Sequence, residues 1–339
     1  MGSETWQTDL PVVLLHNLDP NWEPEATDAA VHDVQQLKTA LEKEGHRVVE
    51  AAVRHNDLYQ ILEPFNPDQY IIFNWCEELP GFMRSDVQVA TVLESMGFTY
   101  TGSPSKVLAL SWDKPACKSL MNFHHIPTPS WQVVDFDTST HWDQFPAIVK
   151  PAFEHCSVGI TPESVVMDPD ELSVRIAFVH EELKQPALIE DFIDGREFHV
   201  TLLGNGLVEM LPPAEMDYSA FDDLRDRLCS FDSKFTPGSV PYESIEIRIP
   251  AQLDVREYEQ LKRVSMNAYG VFNCRDYGRI DLRSRNGRFY VLDVNPNADI
   301  SPDTSLALAA ESAGLTYGMV ASQLVHLAAA RHPFFGAFS

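Results

Sequence analysis

The sequence predicts an α/β (α+β) protein built from more than one domain. Short apolar β-rich runs alternate with amphipathic helical segments, and the spacing of these elements lengthens after residue 105. The chain of 339 residues also exceeds the roughly 100–200 residues of a typical domain. We therefore expect two or three compact units that share a cleft.

The first predicted domain, residues 1–105, is a small open α/β unit. Residues 12–16 form a β-rich run, and residues 26–44 carry apolar side chains at helical spacing. A second βα unit follows, with a strand at 70–73 and a helix that begins with a capping box at Ser85. Two consecutive βα units are typical of an open α/β domain.

Two further domains are predicted, at residues 106–188 and 189–339. Strands at 147–150 and 187–190 alternate with helices in the first of them. The last domain holds the remaining predicted elements, which are strands at 197–203, 244–249, 279–283 and 289–294 and helices at 255–269 and 304–331.

The chain is strongly acidic, with 25 lysine and arginine residues against 50 aspartate and glutamate residues and a net charge of −25. This charge repels nucleic acid and anionic lipid, so we expect neither as a partner. No apolar run approaches the roughly 18 residues of a membrane span, the N-terminus does not resemble a secretory signal, and no C-x-x-C pair occurs. We expect a cytoplasmic protein with reduced cysteines, in which an anionic ligand must meet a local basic pocket.

Two predicted strands that flank a turn carry the clearest chemical signal. Arg279 and Asp281 share one face of the first strand, and Asp293 and Asn295 share one face of the second. Two carboxylates and an amide oxygen suit Mg²⁺, and Arg279 would meet charge that develops on a transferred phosphoryl group. The alternative is a solvated hairpin with ordinary surface charges, but the apolar residues between these polar ones indicate a hairpin covered on one side.

The turn decides whether the two polar pairs meet. A two-residue loop at 286–287 would place Asp281 opposite Leu292 and turn Asp293 to the other face of the sheet. A three-residue loop at 285–287 with a bulge would bring all four polar side chains together. We predict the longer loop, because only this register of the two allows a metal site.

Six segments occur in a fixed order, at 100–114, 148–151, 154–159, 188–193, 231–234 and 278–295. Together they resemble the D-alanine–D-alanine ligase family within the ATP-grasp superfamily. Each segment alone is weak, because strand lysines and small-residue turns are common outside functional sites. The resemblance covers about residues 97–327 and implies a three-domain ATP-grasp fold.

The resemblance implies a ligase that uses ATP and Mg²⁺. The metal ligands would be the hairpin residues Asp281, Asp293 and Asn295. Residues of these segments would bind the nucleotide, together with Glu197, which follows the fourth segment and would meet the ribose. The full set is Lys114, Lys150, Glu190, Asp191, Phe192, Ile193, Glu197 and Lys234.

The resemblance also assigns roles on the substrate side. Arg279, Glu25 and Ser157 would be catalytic, with Glu25 near the substrate amine and Ser157 in the loop that covers the phosphates. Ser305 matches the family serine that binds the acceptor carboxylate. Asp299 would meet a cationic amine, although a capping or turn role is the alternative.

The sequence departs from the family on this same substrate side. Residues 73–81 lack the family histidine, and Cys156 and Phe235 stand where the family has serine and tyrosine. The loop 295–301 is one residue longer. We therefore expect an ADP-forming ligase that joins a small carboxylate to an amine through an acyl phosphate, with substrates other than D-alanine. The alternatives are an authentic D-alanine–D-alanine ligase and an inactive ATP-binding module, and family analogy permits a homodimer.

Overall fold

The computed structural model describes residues 9–138, 140–230, 233, 236 and 238–338. The strands are β1 (Pro11–Asn17), β2 (Arg47–Val53), β3 (Ile71–Trp75), β4 (Thr99–Tyr100), β5 (Trp131–Val134), β6 (Ala147–Pro151), β7 (Val165–Val166), β8 (Ala187–Asp191), β9 (Glu197–Asn205), β10 (Leu207–Met210), β11 (Ala214–Asp217), β12 (Glu246–Arg248), β13 (Tyr277–Arg285) and β14 (Arg288–Asn295). The described α-helices are α1 (Pro24–Lys43), α2 (Leu58–Leu62), α3 (Asp86–Ser95), α4 (Ser105–Trp112), α5 (Lys114–Phe123), α6 (Pro169–Glu181), α7 (Val240–Ser244), α8 (Val255–Val271), α9 (Ser305–Ser312) and α10 (Tyr317–Ala329).

The first sheet is parallel, with the strand order β2-β1-β3-β4. The run of four apolar residues in the middle of β1 is fully buried, because helices cover both faces of the sheet. The two predicted βα units are confirmed. The predicted capping box at Ser85 is wrong, because its hydroxyl donates to the carbonyl of Phe82 at 2.5 Å and accepts from the amide of Leu79 at 2.6 Å.

The second sheet is antiparallel, with the order β5-β8-β6-β7. Side chains alternate across β6 and β8, so Val149 and Ile189 pack under α6 while Lys150 and Glu190 point to the opposite face. Both strands are buried, and the opposite face forms part of a cavity wall.

The third sheet is six-stranded, with the order β12-β11-β9-β13-β14 and β10 paired to β9. Helix α8 covers one face, where Leu261 and Ala268 pack against Phe198 and Ile280. The uncovered face carries the polar side chains of β9, β13 and β14 into the same cavity.

The last helix, α10, packs against α1 and the first sheet, whereas α9 contacts β9 of the third sheet. Leu324 and Val325 of α10 belong to one apolar core with Leu14 and Phe73. The helix predicted over 304–331 is interrupted at residues 313–316, so it forms α9 and α10 instead. The chain thus returns to its first domain, while the predicted domain boundaries stay predictions. None of the described helices is long and apolar enough to cross a membrane.

Candidate active site

A cavity of about 660 Å³ lies where the three sheets face each other. The first sheet contributes Trp75 and the residues after β3, the second sheet contributes Lys150, and the third contributes Arg279 and Asp293. The residues from each sheet lie either at the end of a strand or on the polar face of the sheet. Because side chains alternate along a strand, the charged side chains of the second and third sheets point into the cavity.

The hairpin of β13 and β14 reaches the expected convergence by a different route. The connection is a two-residue turn, with Asn286 at φ 55° and Gly287 at φ 71°, so the predicted three-residue loop is wrong. A bulge at Leu292 then shifts the register in mid-strand, so that Asp281 faces Asp293 directly. Both carboxylates consequently line the cavity.

Charged neighbours hold the two carboxylates in place. Arg279 donates from Nε to Oδ1 of Asp281 at 2.7 Å and from Nη2 to Oδ2 at 3.0 Å, and Asn295 donates to Oδ2 at 2.9 Å. Lys114 Nζ lies 3.3 Å from Oδ1 of Asp293. Burial alone would raise the pKa of Asp293, but three nearby lysines outweigh it and hold that pKa well below its usual range.

This oxygen donor set fits Mg²⁺. Asp281, Asp293 and Asn295 supply two carboxylates and an amide on one rigid face, and Mg²⁺ prefers such oxygen ligands. Arg279 and Lys114 offset part of the negative charge without occupying every carboxylate oxygen.

A buried ion trio lies beside the hairpin, and two of its members, Lys150 and Glu190, line the cavity. Glu190 is 1% exposed, and its two oxygens lie 2.6 Å from the ammonium groups of Lys118 and Lys150. Lys118 also donates to Thr128 Oγ1 and to the carbonyl of Leu292, both at 2.8 Å. Although burial would raise the pKa of Glu190, the two lysines hold it below its usual value. Lys118 was not predicted, but its place four residues after a predicted lysine on one helix is a signal that could have found it.

The residues predicted to bind adenine and ribose line the cavity beside this ion trio. Asp191, Phe192 and Ile193 face the cavity at the end of β8. Arg283 donates to Oε2 of Glu197 at 2.6 Å, and both side chains are buried. Burial would raise the pKa of Glu197, but the charge of Arg283 outweighs it, so the carboxylate stays ionised.

The loop after β6 has the left-handed backbone of a tight turn. Cys156 has φ 54°, Ser157 φ 59° and Gly159 φ 71°, and side chains of the first two residues line the cavity. The hydroxyl of Ser157 donates to the carbonyl of Cys229 at 2.8 Å, and this hydrogen bond joins the loop to the segment between β11 and α7. Lys234, predicted to bind the nucleotide, lies outside the described residues.

The predicted substrate residues divide between the cavity and the surface. Ser305 begins α9, lines the cavity and lies 3.4 Å from Nδ1 of His199. Asp299 also lines the cavity, and it accepts two hydrogen bonds from Ser301 in a local turn. Glu25 instead lies exposed in the first turn of α1, and the structure does not place it among the residues that line the cavity. His199 was not predicted, because a histidine inside an apolar strand gives no local signal.

A family model described as D-ala D-ala ligase C-terminus matches residues 119–326, more than half of the chain. The chain belongs to the D-alanine–D-alanine ligase family. This family member is an ATP-dependent carboxylate–amine ligase of the ADP-forming class.

Among its relatives, the uncharacterized protein y4sG of Sinorhizobium fredii is 31% identical over 301 residues, which cover 86% of each chain. The D-alanine–D-alanine ligase of Pseudothermotoga lettingae is 26% identical over 296 residues, 87% of this chain and 92% of that one. The crystal structure of the D-alanine–D-alanine ligase from Bacillus anthracis complexed with ATP superposes with a TM-score of 0.72 at 20% identity, over 94% of this chain and 97% of that one. The ligase therefore has the predicted ATP-grasp fold.

Proposed function

We propose that this ligase uses ATP to activate a small carboxylate and then joins it to an amine other than D-alanine. The observation that carries the proposal is the direct pairing of Asp281 with Asp293 across the hairpin, close to the lysines that surround Glu190. This combination brings oxygen ligands and positive charge to the same cavity. An ATP triphosphate needs both in a chain of net charge −25.

The nucleotide would lie along the wall built by the second and third sheets. Lys114 and Lys150 would contact the phosphates, and the backbone of Ser157 would cover them. The segment 190–193 would meet adenine, and Glu197 the ribose. Asp281, Asp293 and Asn295 would hold Mg²⁺, which neutralises charge on the phosphate oxygens when bound.

The chemistry proceeds in two displacements. A carboxylate oxygen of the first substrate attacks the γ-phosphorus of ATP, the bond to the bridging oxygen breaks, and ADP leaves. The amine nitrogen then attacks the acyl carbon, and the C–O bond to the phosphate breaks. Inorganic phosphate leaves with one oxygen of the original carboxylate. Arg279 would stabilise charge on the transferred group, so the enzyme acts mainly through positioning and charge.

An acidic part of the cavity lining favours a positively charged amine. Its lining includes five carboxylates, from Glu77, Glu78, Asp86, Asp299 and Asp303. Glu77 itself is exposed to solvent, but the surrounding protein and the charges of Asp299, Glu78 and Asp86 raise its pKa to about 7. A cationic substrate would relieve this repulsion, so we propose a basic amino acid or a diamine as the amine substrate.

A panel of amino acids and diamines tests the function. The purified protein is incubated with ATP, Mg²⁺ and one candidate carboxylate together with one candidate amine. The amounts of ADP and phosphate that form are measured, and the product of each active pair is identified by mass spectrometry. We expect equal amounts of ADP and phosphate, formed only when both substrates are present. Asp293→Ala or Arg279→Ala should lower this rate by roughly 100-fold or more, the scale of losing one charge-stabilising group.

Three other results would contradict the proposal. Turnover with D-alanine alone, and with no basic amine, would identify an authentic D-alanine–D-alanine ligase. Nucleotide binding without ADP formation for every pair would identify an inactive ATP-binding module. Near-normal turnover in the Asp293 or Arg279 variant would show that another site performs the reaction.

A further inference from the structure

Three side chains of different chemistry face each other beside the proposed magnesium ligands. Glu197 and His199 are two residues apart on β9, so alternation sends both to the cavity while Phe198 enters the core. Cys229, from the segment between β11 and α7, lines the same cavity, and one ligand atom of each of the three lies within 4.8 Å of the others. In the part of the chain that the structure describes, no other three histidine, cysteine or acidic side chains form such a group.

Hydrogen bonds orient the glutamate and the histidine. Arg283 occupies Oε2 of Glu197 at 2.6 Å, so Oε1 faces Nε2 of His199 at 3.5 Å. On the other side of the imidazole ring, Nδ1 lies 3.4 Å from Oγ of Ser305. A histidine that binds a metal through one ring nitrogen usually holds a hydrogen bond through the other. Both residues are buried, with 5% of Glu197 and 7% of His199 exposed to solvent. Packing by the surrounding protein therefore holds both side chains in place.

The sulfur completes a set that differs from the magnesium ligands. Sγ of Cys229 accepts a hydrogen bond from the hydroxyl of Tyr218 at 3.0 Å, and Arg279 and Arg283 line the same part of the cavity. A cysteine binds a metal ion as the thiolate, and binding of the metal itself displaces the thiol proton. Sulfur and imidazole ligands select zinc-like ions, whereas Mg²⁺ takes oxygen.

We propose that Glu197, His199 and Cys229 bind a thiophilic divalent cation such as Zn²⁺, and that this cation excludes the nucleotide. Three protein ligands leave a fourth position for water, the usual number at an open zinc site. The cation would exclude the nucleotide because it would occupy the carboxylate of Glu197, which we propose as the partner of the ribose. This second part depends on the proposed function, whereas the binding of the cation does not.

Cobalt spectroscopy tests the metal site without any turnover. Co²⁺ is added to the nucleotide-free full chain, and the thiolate-to-cobalt charge-transfer absorption is followed to its end point. We expect one equivalent of Co²⁺ to produce the band and Zn²⁺ to remove it. Cys229→Ser should abolish the band, and His199→Asn should weaken metal binding at least about tenfold. Cys156→Ser is the matched control, because Cys156 lines the same cavity outside the group.

An absent band, or one that persists in Cys229→Ser and disappears in Cys156→Ser, would overturn the site. His199→Asn gives an independent answer if Cys229→Ser does not fold, because wild-type metal affinity in that variant would also overturn it.

Nucleotide binding at buffered free Zn²⁺ tests the exclusion. The dissociation constant of a fluorescent ADP analogue should rise in proportion to free Zn²⁺ in the wild type and in Cys156→Ser. It should stay constant in Cys229→Ser. A constant value in the wild type, with the cobalt band present, would refute the exclusion but leave the metal site and the ligase proposal intact.

Discussion

Glu190→Gln tests whether the buried carboxylate balances the two lysines around it. The substitution keeps the shape of the side chain and removes its charge, while Lys118 is 1% exposed and Lys150 is 8% exposed. Removing one partner of a buried ion pair costs about 3–5 kcal/mol. We expect the free energy of unfolding to fall by this amount. The cost is limited because Lys118, whose pKa burial already lowers, would lose its proton in the variant.

Urea denaturation at two pH values measures this effect. In the variant the native state would bind fewer protons than the unfolded state, so its stability relative to the wild type should rise as the pH increases toward the ordinary lysine pKa of about 10.4. Glu182→Gln is the control, because Glu182 is exposed, and its change should stay within about 0.5 kcal/mol. A loss below about 1 kcal/mol for Glu190→Gln, or no rise with pH, would refute the reasoning.

Three further predictions concern other parts of the molecule. Burial lowers the pKa of His326 to about 4, so wild-type stability should fall by about 1–2 kcal/mol as pH drops from 6.5 to 4; urea denaturation should show this loss reduced in His326→Asn. A Cβ at Gly195 would lie 1.7 Å from a backbone oxygen of β13, whereas at Gly270 it meets open space; calorimetry should show Gly195→Ala strongly destabilised and Gly270→Ala unchanged or stabilised. Glu77→Gln should raise KM for a dicationic amine about tenfold or more, but not for a monoamine.

The elements of the fold followed from local patterns. The strands around Leu14 and Lys150 were predicted because apolar runs and alternation are properties of neighbouring residues. The convergence of Asp281 and Asp293 was also expected, but the register was wrong. The bulge at Leu292 contains no glycine or proline that would mark it in the sequence. The successive residues Leu292 and Asp293 both line the cavity, and this position depends on how the strands pair in the folded sheet.

The rest of the site depends on contacts between distant residues. Lys118 is buried because Glu190 from another element neutralises it, and His199 is oriented by Ser305 from the C-terminal helices. No local pattern contains either partner. Glu25 was carried over from the loosely matching first domain, and it lies on the surface, so this part of the resemblance did not identify a cavity residue.

The most direct test of the account follows an oxygen isotope from substrate to product. An active substrate pair from the panel is used with ¹⁸O in both carboxylate oxygens, and the released phosphate is analysed by mass spectrometry. Activation of the carboxylate by the γ-phosphate predicts one ¹⁸O atom in each inorganic phosphate, with ADP as the other product. Unlabelled phosphate, or label in AMP with release of pyrophosphate, would contradict it.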